Sequence, residues 1–600
     1  MAFPVRYETL VQSQDRLTCV GANSAFERVA GSGKGLLQFI SETLPFQSRG
    51  LTADVLARLH VQEPFSFLLN GWNEIGESDS LNGAQALRDL QRDFRSAGIV
   101  VATRTHHIVP PLPGATRLRL LSLNAAERGA YLDARLKERG RELDAILRGD
   151  AVLDELTRTP LILSEVTALF EAGKPIPNTK MGILDAATKL HEQSQEHAGH
   201  LAVAPLGGRA PQYLTALAMA LMEEGAVTMT EHAARGVVSR VSARLNKDGQ
   251  IASVPEPLAV IASLTAHHVL ERLPSPADRV GFEHQQFQEF YAASELAGYI
   301  RELAAKGTKQ EILDFTKKYI NEPTWAEPLR MVAEEIGAAT SKTPADAGAL
   351  NAGAVLVARA FDCDPVFGGE LAFLCGSSVW KKVAGDASKR LRGFYEAGGH
   401  HREVALTGML ATGSAEFTDI ILPLLSSADQ QVRLGTYRLW ADFHLSSLGP
   451  DWQKTVRAWP EEIRAEFISD LIHFGNAART LVPFALADES IKVRVAAIDA
   501  LAWVSLEGMN QCLSGLDDDT FRAAARQLPP EWVRGANRTR ALAVFRKLYD
   551  ESSEPLKRIS LLMKASQLIR SAKLQVVPAN CSAGSPRLCR TDRTYRWAHN

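Results

Sequence analysis

The chain has 600 residues, 67 of them basic and 69 acidic, so no net field draws it toward nucleic acid or an anionic membrane. That length excludes a single core, and a composition 46% apolar and 7% aromatic is that of an ordinary helix-favouring soluble protein of several domains. MAFPVRYETL lacks a basic segment followed by an apolar core, and no apolar run approaches the roughly 20 residues of a membrane span, so a cytoplasmic protein is expected.

In chain order, "GSG" at 31–33 reads as a loop before the helix "LLQFISETL", and a further helix is expected over 51–60. "FSFLLNGWNEIG" (65–76) then runs as an apolar strand into Asn70, Asn73 and Glu74. A core strand needs no such tip, so the stretch suggests a site. Over 82–97 Leu87, Leu90 and Phe94 fall on one helical face. "GIVVATRT" (98–105) is a β-branched run of the kind that makes a parallel strand covered on both faces, and "RLRLLSL" (117–123) alternates like another strand. Strands separated by such helices predict a parallel α/β sheet, whose ligands sit at the carboxyl ends of the strands. Asn70–Glu74 and Arg104–His107 both lie at such ends.

After Asn124 the pattern becomes helical. Asn124 and Glu127 have capping-box spacing, which predicts a helix carrying Tyr131 and Leu132 inward. Helices are expected over 143–147, 151–157, 161–171 and 183–197. From about 212 to 295 come three helices, the strand "RVGFEH" and the helix "QQFQEFYAASELAGYI", as in a winged-helix module. In the last third, apolar–arginine pairs recur at Val432-Arg433, Ile463-Arg464, Val493-Arg494 and Phe521-Arg522, with Trp440, Leu471 and Leu501 eight positions beyond the first three. A period near 30 residues predicts a solenoid of helix pairs resembling short HEAT-like repeats, with the arginines bonding to neighbouring turns. From about 572 the periodicity ends in a mildly basic tail expected to be disordered. The expected domains are 1–123, 124–208, 209–300, 301–400, 401–571 and the tail 572–600. Six scattered cysteines read as thiols of a reducing compartment. "HEQSQEHAGH" (191–200) lacks the second histidine of a zinc motif.

Several of these stretches resemble, in order, the NACHT family of STAND nucleotide-switch ATPases. "LLNGWNEI" is similar to a Walker B segment, which implies magnesium at Asn70 and Asn73 and a catalytic role for Glu74. "VVATRT" places Arg104 where the family senses the terminal phosphate. "RTPLIL" places Pro160 where a proline packs on adenine, although the residue also suits the first turn of a helix. "FEHQQFQEFYAA" (282–293) matches the family's winged-helix pattern, in which the histidine corresponding to His284 reaches the β-phosphate of ADP. The resemblance implies a partial P-loop sheet, a helical domain, a winged helix and a C-terminal α-solenoid: a multidomain α/β plus all-α protein. It further implies an ATP/ADP–Mg switch whose repeats bind a protein or other macromolecular ligand. Opening on that ligand would permit self-oligomerisation, in a role such as bacterial antiviral defence.

The chain departs from the family pattern in two places. Asn70 and Asn73 replace aspartates, and an amide oxygen adds no charge to a magnesium site, so metal affinity should fall. "RVAGSGKG" (28–35) offers Gly33 and Lys34, but Arg28 replaces the first glycine of a phosphate loop and Gly35 its hydroxyl residue. Lys34 reads as a solvated loop lysine. The first strand and phosphate loop are expected to be missing or degenerate within 1–25, where "RLTCVGANSA" is the candidate. Weak or absent ATP turnover is therefore expected, and the alternative function is a nucleotide-independent scaffold presenting its repeats.

Overall fold

The computed structural model describes residues 12–13, 16–17, 19–22, 52, 54–55, 58, 66–69, 72, 80–95, 97–102, 110, 122–193, 198–267, 269–273, 279–342, 344–437, 439, 444–471, 475–504 and 506–574. The chain divides into two compact units, Met1–Trp452 and Gln453–Asn600.

The first unit contains a parallel sheet of β1 (Cys19–Ala22), β2 (Ser66–Leu69) and β3 (Gly98–Val101), with β2 in the middle. Val20 lies beside Phe67, Phe67 beside Ile99, and Leu69 beside Val101. The helix α1 (Ser80–Asp93) joins β2 to β3. Leu87 and Leu90, with Phe94 just beyond, are buried as the helical spacing predicts, and Phe94 meets Phe67 edge to face at 5.1 Å. The expectation of cover on both faces of β3 needs correction. Its residues alternate between exposed and half-buried, and Val100 is exposed. One face packs with the aromatic pair; the other is open. Residues 111–121 lie outside the described residues; of the strand expected over 117–123, Ser122 and Leu123 are described and are not in a strand.

Next come α2 (Ala125–Leu136), α3 (Arg139–Gly149), α4 (Ala151–Leu156), α5 (Pro160–Glu171) and α6 (Lys180–Glu192). The expected capping box exists: the Asn124 N–H donates to Glu127 and the Glu127 N–H to Asn124, each at 2.9 Å. Leu132 is buried and Tyr131 half-buried.

The helices α7 (Ala210–Glu223), α8 (Glu231–Lys247), α9 (Pro257–His267) and α10 (Gln285–Lys306) frame an antiparallel sheet. Its strands β4 (Thr228–Thr230), β5 (Leu270–Leu273) and β6 (Arg279–Phe282) lie in the order β4-β6-β5. Of these the sequence pattern showed one strand, "RVGFEH". The third strand, TMT, is too short to carry a periodicity, and Arg279 ties β6 to it by donating to the Thr228 hydroxyl at 2.7 Å and the Thr228 carbonyl at 2.8 Å.

Five helices then pack pairwise: α11 (Ala326–Thr340), α12 (Ala347–Cys363), α13 (Pro365–Cys375), α14 (Ser377–Ala397) and α15 (Gly399–Ala411). Glycine permits their closest approaches. A Cβ on Gly337 would strike the Leu374 carbonyl oxygen, and one on Gly369 would lie 2.5 Å from that of Gly408. A charged network ties α6 to this layer. The Lys180 N–H donates to Glu334 at 3.0 Å and its ammonium pairs with Glu327, while Arg330 bonds to Glu370 at 2.7 Å. Burial pushes the Glu334 carboxyl up to about 7. Arg433, on α16 (Gln430–Tyr437), donates to the Ser427 carbonyl at 2.6 Å.

The second unit is a stack of helices: α17 (Glu461–Leu471), α18 (Gly475–Leu486), α19 (Ile491–Val504), α20 (Leu506–Ser514), α21 (Asp518–Gln527), α22 (Ala536–Glu551) and α23 (Pro555–Leu574). Arg464 and Arg494 bond as the repeat pattern predicts. Arg464 grips the buried Asp488 carboxylate at 2.9 and 3.0 Å and donates to the Trp459 carbonyl at 2.7 Å. Arg494 donates to the Asp488 carbonyl at 2.6 Å and the Thr520 hydroxyl at 2.7 Å. Each arginine thus satisfies the turn before its own helix and the cap of the next. At the fourth position Phe521 is buried beneath the Arg540 guanidinium, 4.1 Å from the ring centre. Leu501 packs against this core, and Trp440 lies outside the described residues.

Candidate functional site

Among the described residues, the candidate site comprises the start of α5 and the turn between β6 and α10, the two places the motifs mark. Its base is a buried arginine that sequence reasoning did not single out. Arg128 on α2, 1% exposed, pairs with Asp144 at 3.1 Å and Asp154 at 2.8 Å and donates to the Thr157 hydroxyl at 3.2 Å. Asp154 also holds Arg158 at 3.2 Å, and the Arg158 carbonyl accepts the Leu123 N–H at 2.9 Å. These bonds fix the turn at 157–159. Thr159 is extended, and Pro160 opens α5 as its first residue, where a missing N–H costs nothing. The Pro160 ring is exposed.

The motif at 282–293 separates into packing and presentation. Phe282, Phe287, Phe290, Tyr291, Ala292 and Ala293 are core residues. Gln288 is buried and its amide donates to the Ala226 carbonyl at 3.0 Å, sealing the turn after α7. Glu283 and His284 are the residues left exposed. His284 is the extended N-cap of α10, so its side chain stands beside the unfilled amides of the first turn. The side chain keeps substantial solvent access, yet crowding on its protein side lowers its pKa below the ordinary histidine value.

Two carboxylates complete the site. Glu165 lies five residues after Pro160 on α5, in an otherwise apolar face. Burial pushes its carboxyl up to about 7, and the negative charge of Glu283 adds to the shift. That second effect brings α5 within electrostatic reach of the residue preceding His284. Behind the turn, the buried Tyr291 hydroxyl of α10 bonds to Thr188 of α6. An acid inside the apolar run PLILSEVTALF was the available sequence signal for Glu165. Nothing in the sequence linked it to Glu283.

Chemically, the turn at His284 offers a neutral imidazole and helix N-terminal amides beside two acids, while Pro160 lies about 140° around α5 from Glu165. An anion is compatible with the imidazole and the amides. Against the two carboxylates it is favoured only when Glu165 is protonated, which its raised pKa makes accessible near neutrality.

Of the other expected site residues, Asn70, Asn73, Glu74, Arg104, Gly33 and Lys34 lie outside the described residues. Trp72, between the two asparagines, is described. Its side chain is buried, its backbone N–H donates to the Ala102 carbonyl at 3.4 Å, and the Ala102 N–H donates to the Leu69 carbonyl at 2.8 Å. The tryptophan therefore anchors the end of β2 to the end of β3. Among the described residues, no group of three or more His, Cys, Asp or Glu could hold a metal ion. Nor is any helix among them long and apolar enough to cross a membrane.

No family model and no curated protein matches the chain. Among solved structures it is similar to a Signal Transduction ATPase with Numerous Domains (STAND) protein with a tetratricopeptide repeat sensor from Pyrococcus horikoshii. The identity is 12%, over 92% of this chain and 85% of that one, with a TM-score of 0.23, and at that score the likeness decides nothing about this chain.

Proposed function

We propose that the chain is a STAND-type nucleotide-dependent switch of the NACHT kind, with a HEAT-like repeat array as its sensor. The observation that supports the reading is that the negative charge of Glu283, the residue before His284, helps to raise the carboxyl of Glu165 on the helix opened by Pro160. Pro160 and His284 are the two described residues the motifs mark for nucleotide. The helix–strand–helix–helix–hairpin succession with strand order β4-β6-β5 supports a winged-helix reading of Ala210–Phe282. The parallel order β1-β2-β3, with the candidate Walker B strand in the middle, supports a P-loop-type sheet.

In this reading the imidazole of His284 donates an N–H to a phosphate oxygen of ADP. The Pro160 ring lies against the base, and Glu165 takes up a proton to admit the anion. Glu74 would orient the attacking water in ATP hydrolysis. With asparagine at 70 and 73, turnover is expected to be weak or absent. A ligand on the repeats acts on the switch only by preferring the open form.

Fluorescent ADP titrated into the full chain tests the proposal. Saturable binding weakened at least tenfold by His284→Ala is expected. No binding, or affinity indifferent to His284, favours the scaffold reading, for which the two asparagines already speak.

A further inference from the structure

The first turn of α6 is capped by a distant part of the chain. Thr179, its N-cap, accepts the Gly182 N–H at 3.0 Å. The two amides before it, those of Lys180 and Met181, go instead to the Glu334 carboxylate of α11, 154 residues beyond Lys180. A carboxylate at a helix N-terminus ordinarily suits the helix dipole. Here the charges do not balance. The Lys180 ammonium is taken by Glu327, and the Arg330 guanidinium reaches Glu327 at 3.4 Å and Glu370 at 2.7 Å. Two cations thus meet two other acids, and neither is bonded to Glu334, which is half-buried at the contact. On the side of α10, Arg301 is paired with the adjacent Glu335 at 3.0 Å, and no charge on α12 or α14 acts on Glu334.

We propose that this contact is a proton-operated clasp, which holds while Glu334 is protonated and loosens when Glu334 ionises. The protonated acid keeps a carbonyl oxygen for the helix amides and adds no third negative charge to the cluster. The ionised acid must give up water without gaining a cation. Burial, with the Glu327 charge adding to it, outweighs the amides and Lys180, so the carboxyl titrates at about 7 instead of 4.5. Freed from α11, the same carboxyl is hydrated and returns toward its ordinary value. Docking therefore binds a proton between these values, and it weakens as pH rises through them. The clasp holds the helix that lies behind the candidate site, since Thr188 of α6 takes the Tyr291 hydroxyl of α10. The device rests on the packing of α6 on α11 and is independent of the nucleotide reading.

Hydrogen exchange of the Lys180 and Met181 amides in the full chain, corrected for intrinsic rates, tests the clasp. Glu334→Gln keeps the acceptor oxygen and can carry no charge. Its protection of these amides, relative to the wild type, should grow about tenfold from pH 6 to pH 8. That comparison removes the effect of other groups titrating in this window, Glu165 among them. Glu327→Gln takes away a negative neighbour and frees the Lys180 ammonium for Glu334, so the loss of protection should move to lower pH. This second variant decides the matter if Glu334→Gln fails to fold. A constant ratio of Glu334→Gln to wild type across the window, or an unmoved midpoint in Glu327→Gln, would each overturn the proposal.

Discussion

Glu165→Gln tests the coupling to Glu283 that supports the nucleotide reading. The folded protein holds this carboxyl at about 7 against an ordinary 4.5, because burial and then the Glu283 charge disfavour the anion. The folded state therefore binds more protons than the unfolded state between these values, and stability falls as pH rises through that window. The full penalty applies above about pH 7 and none of it below about pH 4.5, and its size is about 3 kcal/mol. Glutamine keeps the shape of the protonated acid without a charge. The chain has two units, so the effect is best read locally, as amide hydrogen exchange of α5 at pH 5.5 and pH 8 corrected for intrinsic rates. Protection of α5 in Glu165→Gln should exceed that of the wild type by roughly two orders of magnitude at pH 8 and by about one at pH 5.5. Glu283→Gln should give a smaller gain of the same sign, and the double variant less than the sum. Parallel behaviour of wild type and Glu165→Gln across the window, or strict additivity with Glu283→Gln, would refute the juxtaposition.

Three further outcomes are expected. Arg464→Ala leaves the Asp488 carboxylate buried without its bidentate partner, which should cost the C-terminal unit about 3–5 kcal/mol in chemical denaturation. Lysine should recover little, because it cannot form the fork. Gly337→Ala drives a methyl group into the Leu374 carbonyl and should destabilise the α11–α13 packing by about 1–3 kcal/mol, seen as a lower melting temperature of the first unit. The His284 pKa is depressed in the free protein, and a bound phosphate raises it. ADP affinity should then rise as pH falls, with proton uptake in calorimetry across buffers of different ionisation enthalpy, and that uptake should diminish in His284→Ala.

The sequence alone determined the local features of this protein. The Asn124–Glu127 box, the one-sided helix of Leu87 and Leu90 and the arginine period of the C-terminal stack are all short-range. Neighbours within a turn or a repeat decide each of them, so spacing suffices. Only the tertiary structure decided that the charge of Glu283 acts on Glu165, that Arg128 gathers Asp144, Asp154 and Thr157, and that Val100 stays exposed where a covered strand was expected. Such facts depend on the angle at which separate elements pack, and on burial that shifts a carboxyl by its surroundings rather than by its neighbours in sequence. The clasp at α6 shows both sides of this division. Its acids and bases can be read along the chain, but only packing shows which of the acids is left without a cation.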